Sequence, residues 1–272
     1  MSTGRGGIDF GASSANSREL NNIMCKVLFV TAMRLGDSLM ALPIASWYYK
    51  TYNIKVDWAV ENSTGNPYHG SLIDILNKQS CVDKIHLFDF KEHSIPYKEW
   101  LKKYWAKQST KEERPVSCWR PYNNISKEIN NYYHNEYNKV FCFGYDREEF
   151  SCRRINKYFS EHLAEEHNLE VDYDFTLNYG PANDRYKNNT IKIDKLYDPL
   201  LKDIDAISLT DTDSIITNLQ YCAGAKEVIT TRTGIVVALS LARIPFKLKF
   251  FENDYNWYKV LFHGIAGKFE KI

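Results

Sequence analysis

Residues 27–43 read VLFVTAMRLGDSLMALP, and this stretch decides the fold class of the chain. Val27–Val30 is a short, uninterrupted apolar run, which is typical of a strand buried on both faces of a parallel sheet. A helical stretch from Leu39 to Tyr49 follows, and its first turn should be irregular because it contains Pro43. A strand that leads through the glycine-bearing Arg34–Asp37 into a helix predicts the first unit of an α/β sheet.

The same alternation recurs along the rest of the chain. Predicted strands lie at 54–60, 84–90, 140–144, 191–193, 206–209, 227–231 and 246–251. Predicted helices lie at 71–78, 154–167, 214–222, 235–242 and 255–262. This order predicts an α/β protein with two Rossmann-like parallel-sheet halves, the second of them reduced. The predicted parts are a flexible tail at 1–22, a first half at 23–178 with an insertion at 91–138, and a second half at 179–272.

Composition narrows the class of protein. With 272 residues, 44% of them hydrophobic, the chain can bury a large core without metals or disulfides. The formal net charge of +1 produces no long-range field that would favour nucleic acid as a partner. The six cysteines are widely spread, no apolar run is long enough to span a bilayer, and residues 1–22 lack the apolar core of a signal peptide. We therefore expect a soluble, cytoplasmic protein.

Two glycine-bearing turns, one in each half, are the candidate sites, because open parallel sheets bind ligands beyond the carboxyl ends of their strands. In the first, Gly36 permits a tight bend and Asp37 lies near the predicted cleft. A carboxylate in that place can accept the proton of a sugar hydroxyl. The structural alternative is that Asp37 is the N-cap of the helix that follows.

The second turn is Thr231-Arg232-Thr233-Gly234, between a predicted strand and a predicted helix. Backbone N–H groups at a helix start, with a threonine hydroxyl beside them, suit a phosphate group. Arg232 adds charge-assisted hydrogen-bond donors. The alternative is an ordinary strand–helix connection in which Thr233 is the N-cap and Arg232 faces solvent.

Together these segments resemble glycosyltransferase family 9, the ADP-heptose:lipopolysaccharide heptosyltransferases. The match begins at Val27–Pro43, where a strand, a basic residue, Gly-Asp and Leu-Pro follow one another, and it continues at Val56–Glu61. In the second half it comprises Leu209-Thr210, Ser214–Cys222, Gly224-Ala225, Thr231–Gly234 and Ala242–Pro245. The resemblance leaves the middle of the chain unmatched and implies the GT-B fold of two Rossmann-like domains.

The resemblance also implies an activity, the inverting transfer of a sugar from a nucleotide-diphosphate donor to a glycan or other hydroxyl acceptor, without a metal or other cofactor. The family's proposed base is the aspartate of its Gly-Asp turn, which here is Asp37. The family holds the donor diphosphate at a second-domain turn, which here is Arg232-Thr233-Gly234, with Thr231 beside it. On the acceptor side, which in the family is the first domain, the candidates are Arg34, Gly36, Tyr68 and His69.

The chain departs from this family in the second half. Arg232 stands where the family has an aspartate, and the phosphate-binding stretch that opens the family's second domain is not recognisable. These differences leave a second function open, a non-catalytic GT-B-like module that binds a nucleotide, a glycan or a protein partner. A modifier of nucleic acid is a third class, which the near-zero net charge does not support.

Two further patterns have structural alternatives. Cys142, Cys152, His162 and His167 suggest zinc, but the cysteines are too far apart for the usual knuckle and the histidines would point in different directions on a helix. We therefore expect no metal site. Residues 98–107 combine an aromatic face with lysines, a pattern that suits peripheral contact with a membrane or polymer, or a helix that packs its aromatic face into the core.

Overall fold

The computed structural model describes residues 25–31, 35–61, 68–88, 136–143, 159–193, 201–209, 214–231, 234–250 and 267–271. Several predictions concern residues outside these ranges. They are the tail at 1–22, nearly all of the insertion at 91–138 with its segment 98–107, the helix at 255–262, and the site candidates Arg34, Arg232 and Thr233.

The first half contains a four-stranded parallel sheet in the order β3-β2-β1-β4. Its strands are β1 (Val27–Thr31), β2 (Val56–Glu61), β3 (Val82–Phe88) and β4 (Lys139–Phe143). Strand β1 is central, and Phe29 lies opposite both Trp58 and Phe141. All five residues of β1 are buried, as the uninterrupted apolar run predicts for a strand covered on both faces.

The second half contains a five-stranded parallel sheet in the order β6-β5-β7-β8-β9. Its strands are β5 (Thr190–Ile193), β6 (Ile207–Leu209), β7 (Glu227–Thr230), β8 (Phe246–Phe250) and β9 (Gly267–Lys271). Two parallel sheets with helices confirm the predicted α/β class. The sequence analysis missed β9, which pairs with β8 at the edge of the sheet.

The described helices follow the predicted alternation with one correction near the start. They are α1 (Leu35–Leu39), α2 (Leu42–Tyr52), α3 (Tyr68–Leu76), α4 (Phe159–Glu165), α5 (Ile215–Gly224) and α6 (Gly234–Leu241). The single helix predicted at 39–49 is in fact two, separated at Met40-Ala41. Pro43 lies in the first turn of α2, where its missing N–H has no helical partner to lose, and the expected irregularity is this break.

One continuous core joins the two halves. It is made of buried apolar residues from both sheets and from the helices between them. Helices α1 and α3 of the first half pack against α6 and α5 of the second, respectively. Helix α6 is buried from Ile235 through Leu241, so it serves as the shared centre of this core rather than as a surface helix.

The segment that connects α4 to β5 is hydrogen-bonded to both halves. The backbone N–H of Asp172 donates to the carbonyl of Pro43 at 3.0 Å, and that of Leu177 donates to the carbonyl of Leu241 at 2.8 Å. Arg243 Nη2 donates to the Tyr173 carbonyl at 2.9 Å. The connection is therefore held to α2 on one side and to the end of α6 on the other.

A charged contact strengthens the attachment of this segment to α2. Asp172 Oδ2 accepts hydrogen bonds from Ser46 Oγ at 2.5 Å and from Lys50 Nζ at 2.7 Å. Burial by itself would raise the pKa of Asp172, but the bonds from Lys50 and Ser46 outweigh it and hold that pKa below its ordinary value. The ionised carboxylate is thus the form that stabilises the fold.

Candidate active site

Both candidate connections leave their sheets where the strand order reverses. In the first sheet the reversal lies between β1 and β4, and in the second it lies between β5 and β7. Strand β1 runs toward α1, and β7 runs toward α6. Open parallel sheets bind ligands beyond the carboxyl ends of their strands at such a reversal, so the topology favours these two places over the other ends of the sheets.

The first connection begins at a strand end whose side-chain hydroxyl already has a hydrogen-bond partner. Thr31, the last residue of β1, is buried, and its Oγ1 accepts the indole N–H of Trp58 at 2.9 Å. Trp58 is itself fully buried in the middle of β2, so this bond ties the end of β1 to the neighbouring strand. The protein thereby completes the hydrogen bonding of both side chains without a ligand.

The structure changes the interpretation of Gly36 and Asp37. Both lie inside α1, as its second and third residues, rather than in a tight turn before a helix. The cap position of α2 is occupied by Ala41, which makes no side-chain cap hydrogen bond. Asp37 is therefore not the N-cap of the predicted following helix, and that alternative is wrong. The backbone of Asp37 lies next to Gly36, at the switch point of the first sheet.

The second connection contains two adjacent threonines with different environments. Thr230 ends β7, and its hydroxyl donates to the Ile193 carbonyl at 3.0 Å across the strand-order reversal. Thr231 follows with 2% of its surface exposed, and its Oγ1 has no hydrogen-bond partner among the described residues. Buried hydroxyls are normally satisfied, so Thr231 provides an unused polar group next to the start of α6.

The two connections meet although they belong to different sheets. A Cβ placed on Gly36 would lie 3.3 Å from Gly234 Cα, and one placed on Gly234 would lie 3.5 Å from the Gly36 nitrogen. The backbones of α1 and α6 are thus in contact at their starts. The structure thereby brings together the backbones of four members of the predicted site, Gly36, Asp37, Thr231 and Gly234.

The candidates on the acceptor side lie one helix away. Tyr68 and His69 are the first two residues of α3, and α3 packs against α1. Sequence reasoning placed these two residues in a loop after β2, whereas the structure includes them in the helix. Their backbone is consequently part of a fixed element that borders α1.

Of the residues of the possible zinc site, Cys152 lies outside the described ranges, and the two histidines make other contacts. A hydrogen bond of 2.9 Å joins His167 Nε2 to the Cys142 carbonyl, and His162 Nε2 lies 3.4 Å from Glu166 Oε1. Burial lowers the pKa of His167 and favours the neutral ring, although the bond to Cys142 opposes that shift. Among the described residues, no group of three or more His, Cys, Asp or Glu side chains could hold a metal ion.

The described cysteines offer no activated thiol in the second half. Cys222 is buried on α5, and burial raises its pKa to about 12. A thiol with that pKa remains protonated near neutral pH and is a poor nucleophile.

None of the helices in the described ranges is both long and apolar enough to cross a membrane.

A polar network that the sequence analysis did not identify lies at the opposite end of the first sheet. The Tyr137 hydroxyl donates to Asp57 Oδ2 at 2.6 Å and lies 2.8 Å from His86 Nε2. Asp57 is near the amino end of β2, so the network is remote from the switch point. Its residues are far apart in sequence, and only the pairing of the strands brings them together.

Comparison with known proteins identifies the fold. No protein-family model matches the chain, and a search of curated proteins finds no match. Solved structures do match. A glycosyl transferase of family 9 from Veillonella parvula superposes with a TM-score of 0.56 at 10% identity, covering 93% of this chain and 88% of its own.

Two proteins from E. coli extend this likeness. The heptosyltransferase WaaC, solved with ADP, superposes with a TM-score of 0.52 at 13% identity, covering 90% of this chain and 93% of its own. The iron-containing dodecameric glycosyltransferase TibC superposes with a TM-score of 0.51 at 12% identity, covering 91% of this chain and 64% of its own. The chain therefore has the fold of these glycosyltransferases, which confirms the predicted resemblance at the level of the fold.

Proposed function

We propose that the chain is an inverting glycosyltransferase that moves a sugar from a nucleotide-diphosphate donor to an acceptor hydroxyl. The observation that carries the proposal is the contact between Gly36 and Gly234. Asp37 follows Gly36 in sequence, and Gly234 ends the connection that is suited to a phosphate group, so this contact supports the proposal. Fold alone does not specify a reaction, so the proposal rests on this junction and on the chemistry of its residues.

Asp37 is the general base in the proposed reaction. As the acceptor oxygen attacks the anomeric carbon, its proton passes to the Asp37 carboxylate and a new C–O bond forms. The bond between the anomeric carbon and the diphosphate oxygen breaks, and its electron pair leaves with the diphosphate. Attack opposite the leaving group inverts the configuration at the anomeric carbon.

The second connection stabilises the departing diphosphate. The start of α6 presents backbone N–H groups at Gly234, and Arg232 and Thr233 add side-chain donors. Thr231 supports this assignment, because a phosphate oxygen would supply the hydrogen bond that its buried hydroxyl lacks among the described residues. Negative charge develops on the diphosphate as the bond breaks, so these donors act more strongly on the transition state than on the ground state.

The acceptor lies on the first half in this proposal. Helix α3, which begins with Tyr68 and His69, packs against α1, and we assign these two residues together with Arg34 to the binding of a glycan or other hydroxyl compound. Residues 98–107 are a further candidate for contact with a polymeric acceptor or a membrane surface. The proposed single displacement requires no bound metal, since protein hydrogen-bond donors stabilise the negative charge of the diphosphate.

The test is transfer from a panel of nucleotide-diphosphate sugars to glycan acceptors, followed by mass spectrometry of the products. ADP-linked sugars come first, because the WaaC structure was solved with ADP. We expect product with at least one donor and no loss of rate in EDTA. An activity that disappears with the chelator and returns with Mg²⁺ or Mn²⁺ would contradict the metal-free mechanism.

The second candidate function is a non-catalytic module that binds a nucleotide or a glycan. The observation that favours it is Arg232, which replaces the aspartate of the family that the sequence resembles. Thermal-shift measurements with the same panel separate the two functions. Stabilisation by a donor without any turnover would support the binding module and reject the transferase.

A further inference from the structure

Gly36 and Gly234 are the points at which α1 and α6 touch. A Cβ on Gly36 would lie 3.1 Å from Val237 Cγ2 and 3.3 Å from Gly234 Cα, closer than such atoms normally approach. A Cβ on Gly234 would meet its neighbours at 3.5 Å or more, the second of them being Leu35 Cβ at 3.7 Å. The contact is therefore asymmetric, and Gly36 is the position at which a side chain would force its neighbours to shift by a few tenths of an ångström.

The side chains of α1 and α6 around this contact are apolar and buried, whereas Gly234 itself is exposed. Leu35 and Ile235 are each 8% exposed, and Val237 is 5% exposed. Tightly packed interiors transmit displacements instead of absorbing them, so a group inserted here has to move one helix relative to the other. Glycine is also among the poorest helix formers, and its presence inside α1 is explained by this close approach rather than by helix propensity.

We propose that Gly36 and Gly234 form a glycine joint that sets the distance between the base and the diphosphate site. The joint consists of positioning residues, and this inference rests on the proposed function. Asp37 follows Gly36 directly, and Gly234 ends the phosphate-binding connection, so in this proposal a change in the distance between the two backbones changes the distance between the base and the diphosphate site. Misplacement by about 1 Å can reduce a rate on the order of a hundredfold, so the joint controls the transfer step more than donor binding.

The first arm of the test measures kcat and donor KM for Gly36→Ala. We expect kcat to fall on the order of tenfold to a hundredfold while the donor KM changes by less than about threefold, because the donor site lies on the second half. Adding Val237→Ala removes Cγ2, the nearest obstacle, and should restore a large part of kcat. Gly234→Ala should reduce kcat less than Gly36→Ala does, because its Cβ meets no neighbour closer than 3.5 Å.

Gly180→Ala is the matched control for a strained glycine outside the site. Gly180 has a φ of 87°, and its Cβ would lie 3.0 Å from Gln220 Nε2, so this variant should unfold more easily and yet keep its kcat. A wild-type kcat for Gly36→Ala, or a failure of Val237→Ala to restore any rate, would overturn the joint.

Failure of the proposed function can be distinguished from failure of the glycine joint. If the wild-type protein transfers no sugar from any donor, the transferase assignment is wrong whatever the glycine variants do. The joint is then judged from urea unfolding of Gly36→Ala, Val237→Ala and the double variant. Loss of stability in Gly36→Ala that is relieved in the double variant supports the joint, whereas additive effects overturn it.

Discussion

The two strand-to-helix connections share a topology and differ in how their buried threonine hydroxyls are used. Thr31, at the end of β1, accepts a hydrogen bond from the Trp58 indole at 2.9 Å. Thr231, after β7, is just as buried but has no partner for its hydroxyl among the described residues. An unpaired buried hydroxyl costs stability unless a ligand satisfies it. The Thr31 hydroxyl thus has its partner within the protein, whereas the Thr231 hydroxyl retains the capacity to bind a ligand.

The helices that follow the two connections differ in length and continuity, and this difference also favours the second connection as the anion site. Helix α1 has five residues and is interrupted before α2, whereas α6 is a continuous eight-residue helix with a buried body. A longer helix presents a better-defined set of N-terminal N–H groups to an anion. The comparison supports the proposal that the base lies on the first connection and the diphosphate site on the second.

The largest effect is expected at the first connection. Asp37→Asn should reduce transfer by a factor on the order of a hundred or more, because the amide cannot take the proton of the acceptor. Affinity for ADP should remain that of the wild-type protein, since the donor contacts lie on the second connection. The measurements are initial rates and calorimetry. Transfer by Asp37→Asn at nearly the wild-type rate would show that Asp37 is not the base.

The second connection is tested by Arg232→Ala. Loss of its charged hydrogen bonds should weaken binding of a nucleoside diphosphate by about 1.5–3 kcal/mol. Arg232→Lys should recover only part of this loss, because lysine keeps the charge without the two-pronged geometry. Calorimetry on the wild-type protein and both variants, with the nucleoside diphosphate and with the nucleoside alone, shows whether the lost affinity comes from the phosphates. Equal diphosphate affinity of the wild-type protein and Arg232→Ala would place Arg232 outside the donor site.

A matched pair of substitutions tests the comparison of the two threonines. Thr31→Val removes the acceptor of the buried Trp58 N–H and should lower the free energy of unfolding by about 1–3 kcal/mol. Thr231→Val removes a hydroxyl that has no described partner, so it should leave stability unchanged or raise it slightly and weaken diphosphate binding instead. Urea unfolding and calorimetry give both quantities. Equal destabilisation by the two substitutions would remove the distinction between the connections.

The smallest effect is expected away from both connections, at the attachment of the linking segment to α2. Asp172→Asn should lower the free energy of unfolding by about 1 kcal/mol near neutral pH, since Lys50 is largely exposed and its contribution is screened. The folded-state pKa of Asp172 is depressed, so the wild-type advantage is complete above the unfolded value of 3.8. It should be lost as the pH falls through the lower folded pKa.

This pH dependence is measured by urea unfolding of both proteins between neutral and acid pH. Diphosphate affinity serves as the internal control, because Asp172 lies on neither connection and its replacement should not alter binding. A stability difference that persists unchanged below the folded pKa of Asp172 would show that the charge is not its cause.

Local sequence was sufficient for the order of the elements. The apolar run at Val27–Val30 and the later alternation of short apolar runs with helical stretches predicted both parallel sheets, because strand burial and helix periodicity are expressed within a few residues. The two connections could be found for the same reason, since a glycine or a threonine between a strand and a helix is a local signal. Strand β9 carried no such signal, because its sequence, GKFEK, contains no apolar run.

Only the tertiary structure decided how the two connections relate to each other. Gly36 looked like a turn residue in the sequence, but it lies within α1, and the reason for a glycine there is the close approach of Val237 and Gly234. Likewise, nothing in two adjacent threonines indicates that Thr230 is satisfied by Ile193 while Thr231 is buried without a described partner. Contacts between distant segments depend on the packing of whole helices, and a pattern that extends over a few residues contains no information about the surface it will meet.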